Sequence, residues 1–383
     1  MKVPFFRLKL GASEKRQVAE VLSSGWVTSG PKVRAFEDGI CSLTGARHAV
    51  AVSSGTAGLH LALEALGIGA GDQVITTPYT MIATLEAVLY TGAEPVLVDI
   101  DADSLNLDPA LIEAKITRKT KAILAVDIAG RPCDYRRLRA IARKHQLALV
   151  ADAAHSLGAE DRGRPVGTLA DATVFSFYST KNITAGEGGM VVTNRKGLAE
   201  SIRLLSLHGM TSSGWKRYAG GSWKYDVVRL GYKYNLSDLS AAVGLGQLAG
   251  FEARQSKRAR LAERYGKRLA DLGDVLELPD CPATNRHAWH LYMIRINMSR
   301  WAISRDRLIA ELEKRGVGCG VHFIPVHHFT HFKKILPVRR SEFPVCEREF
   351  KRVISLPFYP DLSLRELDFV CDVIHKQARR FVK

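Results

Sequence analysis

The sequence lacks the features of a secreted, membrane-spanning or zinc-binding protein. Its six cysteines are scattered and form no C-x-x-C pair, which argues against both a disulfide framework and a zinc site. No uncharged apolar run approaches the length of a membrane span, and the first residues contain no apolar stretch long enough for a signal peptide. We therefore expect a cytoplasmic protein with reduced cysteines, no membrane segment and no metal.

Acidic residues are few relative to basic ones. The 383 residues include 55 lysines and arginines against 39 aspartates and glutamates, which gives a formal net charge of +16. Such an excess raises the attraction for polyanions, phosphorylated ligands and anionic surfaces, and it says nothing about the fold. Two interpretations remain open: a general basic bias spread over solvated faces, or a surface of which part receives a nucleotide diphosphate.

Short apolar runs alternate with helical stretches over the first half of the chain. The runs lie at 48–52, 73–77, 95–99, 121–126 and 147–151, and the helical stretches at 56–66, 80–91, 108–117 and 134–146. Two further apolar runs follow at 172–178 and 189–193. Strands separated by helices require crossover connections, so the pattern predicts an α/β fold with a mostly parallel sheet of seven strands.

The last third of the chain has a different pattern. Strand-like runs at 290–296 and 317–324, with helices at 304–315 and 363–380, predict a smaller α+β domain. A length of 383 residues is enough for two domains. We place the boundary near Gly250, which gives a large domain with an N-terminal arm (1–249) and a small C-terminal domain (250–383).

Two predicted strand ends present an amine and a carboxylate. Lys181 follows the run at 172–178 and precedes a glycine-rich turn, and Asp152 directly follows the run at 147–151. Enzymes with α/β folds carry their chemistry at such carboxyl ends of strands. A solvated surface position suits Lys181 poorly, because its neighbours are apolar or small. The alternative for Asp152 is a helix cap.

A third strand end suits a phosphate group. Residues 50–52 lead into the small-residue turn 53–58 and then into a helix, whose free amides and dipole attract phosphate. Together the three strand ends predict a seat for pyridoxal phosphate. Asp152 would keep the pyridine nitrogen of this cofactor protonated, and the amine of Lys181 would bond its aldehyde.

Six short segments extend the pattern along nearly the whole chain. They lie at 25–31, 54–57, 152–155, 175–189, 231–238 and 355–357. Any one of them is a weak signal, but six in register resemble the DegT/StrS-type nucleotide-sugar aminotransferases. The resemblance implies the type I pyridoxal-phosphate transferase fold, with a large cofactor-binding domain and a smaller C-terminal domain.

The resemblance also implies which residues hold the cofactor. Backbone amides of Thr56 and Ala57 and the hydroxyl of Ser176 would bind its phosphate. His155 would stack on the cofactor ring or form a hydrogen bond near it. Tyr79 would cover the other face of the ring, with packing in the buried core as the alternative.

A departure from the family pattern bears on assembly. Many relatives have asparagine where this chain has Lys233, and arginine where it has Asn235. Within a homodimer with shared active sites, which the resemblance implies, we expect Asn235, or failing it Lys233, to reach the cofactor phosphate of the neighbouring subunit. The preceding loop has the aromatic composition of a buried interface; its aromatic residues are Trp215, Tyr218, Trp223 and Tyr225.

The predicted activity is transamination of a keto-sugar linked to a nucleoside diphosphate, with glutamate or glutamine as amino donor. Lys181 and Asp152 would be the catalytic residues of this enzyme of amino sugar and polysaccharide biosynthesis. Related enzymes that remove a sugar hydroxyl have lost the lysine, so Lys181 argues against dehydration. One alternative is a type I enzyme acting on a non-sugar ketone, such as a cyclitol or an aromatic precursor. The other is a basic regulatory or nucleic-acid-binding protein, which the intact catalytic set and the absence of an appended basic arm count against.

A helix predicted from residue 251 carries many basic residues. Its first half contains Arg254, Lys257, Arg258 and Arg260. A charge run of this kind is usually a solvated face. The alternative is that one of these residues meets the phosphates of a sugar nucleotide.

Three histidines cluster in the sequence at His322, His327 and His328. Such a cluster suggests a metal site, but no carboxylate or cysteine at ligand spacing supports one. The resemblance places this stretch at the substrate entrance.

Overall fold

A seven-stranded sheet forms the centre of the fold in the computed structural model, which describes residues 1–212, 215 and 223–383. Its strands are β1 (His48–Val52), β2 (Gln73–Thr76), β3 (Glu94–Leu97), β4 (Thr120–Val126), β5 (Ala148–Asp152), β8 (Ala172–Ser176) and β9 (Gly189–Thr193), while β6 (Glu160–Asp161) and β7 (Arg164–Pro165) form a separate hairpin. The spatial order is β1-β9-β8-β5-β4-β2-β3. Only β9 runs antiparallel to its neighbours, so the predicted mostly parallel α/β sheet is confirmed.

Helices cover both faces of this sheet. They are α1 (Ala12–Ser24), α2 (Pro31–Thr44), α3 (Gly55–Ala65), α4 (Ile82–Tyr90), α5 (Pro109–Ile112), α6 (Tyr135–Lys144), α7 (Lys196–Leu205) and α8 (Asp238–Leu248). Successive residues of β1 belong to opposite cores: Ala49 and Ala51 pack on one face, Val50 and Val52 on the other. Burial on both faces explains why the strands read as continuous apolar runs in the sequence.

The first turn of α2 is capped by a residue distant in sequence. Asp238, the first residue of α8, accepts hydrogen bonds from the amides of Gly30 at 2.8 Å and Val33 at 3.0 Å. A carboxylate at a helix N-terminus satisfies free amides and opposes the helix dipole. The cap of α8 itself is Ser237, whose hydroxyl accepts from the amide of Ser240. The 25–31 segment is therefore fixed against the start of α8.

The C-terminal part contains a small antiparallel sheet and its own core. The strands are β10 (Leu276–Glu277), β11 (Tyr292–Ile296) and β12 (Val353–Leu356), and the helices are α9 (Phe251–Leu269), α10 (Arg305–Lys314), α11 (Thr330–Ile335), α12 (Pro344–Phe350) and α13 (Leu364–Phe381). Tyr265 of α9 and Tyr292 of β11 stack at the centre of this core, with ring centroids 4.7 Å apart. Gly250 lies between α8 and α9, and the domain boundary placed there stays a prediction.

The strand predicted at 317–324 is wrong. In this stretch only Val317 and Gly320 form single bridges, to Val3 and Ser355 respectively. The N-terminal arm approaches so closely that a Cβ at Gly318 would lie 2.6 Å from the backbone nitrogen of Phe5. The third strand of the small sheet is β12 instead. Among the described residues, no helix is long and apolar enough to cross a membrane.

Candidate active site

A cavity of about 480 Å³ lies at the carboxyl ends of the parallel strands. Residues that follow β4, β5 and β8 line it, together with the first turn of α3. The N-terminal arm contributes Phe5, and the C-terminal part contributes His290, His322 and Phe358. The cavity is thus placed where open α/β sheets bind their ligands.

Lys181 and Asp152, the two predicted catalytic residues, both line this cavity. Burial lowers the pKa of Lys181 from 10.5 to about 8, and the charge of Asp152 opposes this shift. Burial raises the pKa of the Asp152 carboxyl, while its hydrogen-bond donors and Lys181 lower it. An amine with a pKa of about 8 is available as a free base near neutral pH, which suits proton transfer and covalent bonding to an aldehyde.

Asp152 is held by donors from two elements. The hydroxyl of Thr84 in α4 donates to Oδ2 at 2.7 Å, and the amide of Ala154 donates to Oδ1 at 3.2 Å. Thr84 in turn lies 2.7 Å from the hydroxyl of Thr80, which lines the cavity. These bonds favour the ionised carboxylate and fix its orientation. Thr84 lies within a helical pattern of the sequence, and such a pattern does not indicate a role at the site.

The N-terminus of α3 presents the predicted phosphate cradle. Gly55 and Thr56 line the cavity, and their amides form no hydrogen bond with another described residue. The amide of Ala57 instead donates to the hydroxyl of its N-cap Ser54 at 3.0 Å, and Ala57 does not line the cavity. The donor predicted at Ala57 is thus already used, and we propose that the amide of Gly55 takes its place.

Ser176 lies beside this cradle, because α3 and β8 approach closely. A Cβ at Gly55 would lie 3.1 Å from the Cβ of Ser176, and one at Gly189 would lie 2.5 Å from the carbonyl oxygen of Ser54. The first contact would be tight, and the second, against backbone, requires glycine. Ser176 itself lines the cavity. The glycine run after Lys181 thus brings the start of β9 against the cradle.

His155 lines the cavity within a cluster of rings. Its ring lies 4.3 Å from that of His290 and stacks on Phe323 at 5.7 Å between centroids. Burial lowers the pKa of His155 well below its ordinary value, so the ring is neutral. Its buried Nδ1 has no partner among the described residues. A neutral ring at the cavity wall with a free nitrogen is compatible with a place beside the cofactor ring, which stays a prediction.

Tyr79 is not at the cavity wall. Its side chain is completely buried and donates its hydroxyl to the carbonyl of His322 at 2.6 Å. The alternative of core packing, which the sequence left open, therefore fits this residue better than a place over the cofactor ring. The two residues that follow it, Thr80 and Met81, line the cavity instead.

Lys233 and Asn235 lie outside the cavity of their own chain. Lys233 Nζ donates to Asn235 Oδ1 at 2.6 Å, and Asn235 Nδ2 donates to Ser29 at 2.7 Å. Asn235 also bridges Val52 at the end of β1. Of the predicted aromatic loop, Trp215 packs edge-on against Trp26 at 4.9 Å, and Tyr218 lies outside the described residues.

Two further carboxylates were missed in the sequence. Asp127 lines the cavity directly after β4, and burial raises its pKa to about 6. Glu347 accepts hydrogen bonds from His327 and His328, with Nε2 atoms 2.7 and 2.5 Å from the same oxygen. Two ligands of one zinc ion would lie about 3 Å or more apart, so these contacts are those of hydrogen bonds. The expectation that no carboxylate accompanies these histidines is therefore wrong, because Glu347 contacts both His327 and His328.

Comparison with known proteins identifies the family. The DegT/DnrJ/EryC1/StrS aminotransferase family model matches residues 9–375. The chain belongs to this family. This aminotransferase is 42% identical over 374 residues to the spore coat polysaccharide biosynthesis protein SpsC of Bacillus subtilis, across 97% of this chain and 96% of SpsC.

Solved structures of other aminotransferases share the fold. A candidate sugar aminotransferase from Streptococcus pneumoniae, in its PMP form, matches with a TM-score of 0.93 and 32% identity over 99% of this chain and 98% of that one. Helicobacter pylori PseC, an aminotransferase involved in the biosynthesis of pseudoaminic acid, matches with a TM-score of 0.92 and 28% identity over 100% of both chains. The protein is therefore a pyridoxal-phosphate-dependent sugar aminotransferase of the type I fold.

The residues at the cavity fit this cofactor. Its phosphate needs donors, which the free amides of Gly55 and Thr56 would supply at a helix N-terminus. Its pyridine nitrogen needs an anion, which the hydrogen-bonded carboxylate of Asp152 would supply. Its aldehyde needs an amine of lowered pKa, which Lys181 would supply.

Proposed function

We propose that this sugar aminotransferase aminates a keto-sugar linked to a nucleoside diphosphate, with glutamate or glutamine as amino donor. The observation that carries the proposal is a pair of arginines behind the cavity wall, of which Arg258 is buried and Arg254 is half-buried, and neither forms an ion pair with a carboxylate of the described residues. Arg258 is 2% exposed, donates to the carbonyl of Trp289 at 3.1 Å and lies over the ring of Phe358, which lines the cavity. Arg254 precedes it by one helical turn.

The two arginines differ from the exposed Lys257 and Arg260 in their burial, and from the basic residues of the second half of α9 in their pairing. Arg264, Lys267 and Arg268 form ion pairs with carboxylates at 2.5 to 2.8 Å, as a solvated face would. In contrast, Arg254 Nε and Nη2 are buried without a partner among the described residues. Burial, and then the charge of Arg254, lower the pKa of Arg258 to about 9. A diphosphate would relieve this unfavourable pairing of positive charges.

In the proposed mechanism Lys181 is the proton carrier. As a free amine it takes the proton from the α-carbon of the amino donor, and in the second half-reaction it delivers a proton to the sugar carbon that held the ketone. When bound, the cofactor withdraws electrons from these carbons and carries the amino group between the substrates. Asp152 holds the proton on the ring nitrogen of the cofactor, with Thr84 keeping the carboxylate ionised.

The remaining cavity residues position and enclose the reactants. Gly55, Thr56 and Ser176 bind the cofactor phosphate, and His155 contacts the cofactor ring. Phe5 stacks on His322 at 5.5 Å, so the N-terminal arm closes one side of the cavity against water. Related proteins in spore coat polysaccharide and pseudoaminic acid biosynthesis support a sugar substrate.

The test compares matched substrates on the pyridoxamine form of the protein. We expect a nucleotide-linked keto-sugar to restore the visible absorption of the lysine-bound cofactor, with catalytic efficiency at least about tenfold above that of the same keto-sugar without the nucleotide. Equal reaction of free and nucleotide-linked sugars would contradict the nucleotide linkage. Reaction only with a cyclitol or aromatic ketone would contradict the sugar substrate.

A variant tests the arginine pair. Arg254→Gln should raise the KM for the nucleotide-linked sugar about tenfold and leave the KM for the amino donor unchanged, because only the sugar substrate carries a diphosphate. Arg260→Gln, an exposed neighbour on the same helix, is the matched control. If the KM values of both substrates changed equally, or if neither changed, the basic residues of α9 would be those of a solvated face.

A further inference from the structure

A second cavity of about 290 Å³ lies between α6 and the β6–β7 hairpin, and it is lined mainly by arginines. It shares no lining residue with the active-site cavity. Three arginines of α6 and two of the hairpin line it: Arg136, Arg139, Arg143, Arg162 and Arg164. Positive charge is thus concentrated on one concave surface.

The arginines have little to neutralise them. Asp161 is the one carboxylate among the lining residues, and it is buried with an oxygen 3.9 Å from Nε of Arg162. The side chains of the other four form no hydrogen bond or ion pair with the described residues; they are Arg136, Arg139, Arg143 and Arg164. The positive charge is therefore compensated only in part within the described residues, by Asp161 and by the charge of Asp171 near Arg139.

The electrostatics of Arg139 show that the guanidinium groups repel each other. Burial lowers the pKa of Arg139, the charges of Arg164 and Arg143 lower it further, and the charge of Asp171 opposes the shift in part. An anion between these groups would reverse the effect of the neighbouring charges. Guanidinium forks match the oxygens of phosphate in geometry and charge, and unlike lysine they bind them in pairs of hydrogen bonds.

The shape indicates a small ligand with an organic part. The cavity adjoins a second depression of about 380 Å³, which shares Arg139, Arg143 and Leu169 and extends to Arg195. Arg195 is paired with Asp171 at 3.3 Å, so this second part is closer to neutral. A membrane or a nucleic acid duplex would be met by a broad basic surface, whereas here one concavity is lined by five arginines, of which Arg139 is half-buried and the others are exposed.

We propose that this arginine cavity binds a soluble ligand that carries a phosphate or diphosphate group, separately from the active site. The phosphate lies among the unpaired guanidinium groups of α6 and the hairpin. The rest of the ligand extends toward Arg195. This cavity would bind its ligand whichever sugar the active site accepts.

The test measures binding of inorganic diphosphate to the holoenzyme. The cofactor fills the phosphate cradle of α3, and equilibrium dialysis at fixed ionic strength counts the remaining sites. In Arg139→Gln/Arg164→Gln we expect one equivalent per chain to be lost, or its affinity to fall at least about tenfold. The control Arg365→Gln/Arg379→Gln removes the same charge from exposed residues of α13 and should bind as the wild type does.

The test measures binding rather than activity, because a hydrogen bond connects the two cavities and a change in the arginine cavity could alter the rate at the active site. Tyr135 lines the arginine cavity and donates its hydroxyl to Asp127, which lines the active-site cavity. Equal stoichiometry and affinity in all three proteins would overturn the proposal. So would an equal loss in both variants, which indicates attraction by net charge alone. Loss of binding to anionic vesicles or duplex DNA in the cavity variant, with diphosphate binding unchanged, would also overturn it.

A crystal soak gives an independent readout. Tungstate has the charge and tetrahedral shape of a phosphate group and a strong anomalous signal. We expect an anomalous peak within the cavity in the wild type and none in the cavity variant. Peaks confined to the active site or to lattice contacts in the wild type contradict the proposal.

Discussion

The hydroxyl of Thr84 donates to Oδ2 of Asp152 at 2.7 Å, so a residue of α4 orients the carboxylate at the end of β5. Both residues are buried. Burial raises the pKa of Asp152, and the Thr84 hydrogen bond is the largest effect that lowers it. The ionised state of Asp152, which the proposed mechanism requires, therefore depends on a helix rather than on solvent.

Replacing Thr84 by valine keeps the shape of the side chain and removes the donor. A hydrogen bond to a charged group contributes about 1.5–3 kcal/mol, and its loss should raise the pKa of Asp152 further. The acid limb of the rate against pH should therefore move to higher pH, since a protonated carboxyl no longer holds the cofactor nitrogen proton. Thr91→Val, which removes a hydroxyl bonded to the Val88 carbonyl at the end of α4, should leave the profile unchanged. An unchanged profile in both variants would assign Thr84 a structural role only.

The pKa of Lys181 predicts how cofactor capture depends on pH. Burial lowers this pKa to about 8, and the free amine that bonds the cofactor is the deprotonated form. The rate of recombination of apoprotein with pyridoxal phosphate should thus rise with pH and level off above about 8. In Asp152→Asn the midpoint should fall, because the charge that raises the pKa of Lys181 is gone. A midpoint near the ordinary value of 10.5, or a rise in Asp152→Asn, would contradict this electrostatic account.

Tyr79→Phe separates core packing from cofactor binding. The hydroxyl of Tyr79 is buried against the His322 carbonyl, so its loss should lower the free energy of unfolding by about 1–3 kcal/mol. Cofactor affinity should stay within about twofold, since the side chain does not line the cavity. Chemical denaturation and cofactor titration measure the two effects. A large loss of cofactor affinity with unchanged stability would restore Tyr79 to the cofactor site.

Much of the fold could be predicted, because its signals are local. The seven apolar runs form the seven strands of the sheet, and helices connect most of them as predicted. The observed bounds of most strands lie within a few residues of the predicted ones. The stretch 317–324 failed because a strand also needs partners along its length. Val317 and Gly320 find only single bridges, one to the N-terminal arm and one to β12.

The candidate site was predictable where it follows strand ends, as for Asp152 and Lys181. Asp127 carries the same signal directly after β4 and could have been found by it. Thr84 and Met81 could not be predicted as site residues, since a helical pattern does not reveal which side chain faces a cavity. The direction in which Tyr79 points depends on His322, which is 243 positions away in the chain.

Assembly is tested by mixing two inactive variants. We predict that Asn235, or failing it Lys233, reaches the cofactor phosphate of the neighbouring subunit in a homodimer. Asn235→Asp would place a carboxylate against that phosphate and weaken cofactor binding strongly. Co-expression with Lys181→Ala should restore activity, because each mixed dimer has one site with both defects and one with neither. If the residues belong to one chain's site, every site keeps a defect and mixing restores nothing.

The most direct test of the account locates the cofactor on the chain. Reduction of the holoenzyme with sodium borohydride fixes pyridoxal phosphate covalently to the lysine that bears it, and mass spectrometry of the peptides identifies that lysine. The account predicts the label on Lys181 in the wild type. In Lys181→Ala we expect no label, no visible absorption of lysine-bound cofactor and no transamination, with the melting temperature retained. A label on another lysine, or wild-type turnover in Lys181→Ala, would contradict the central claim.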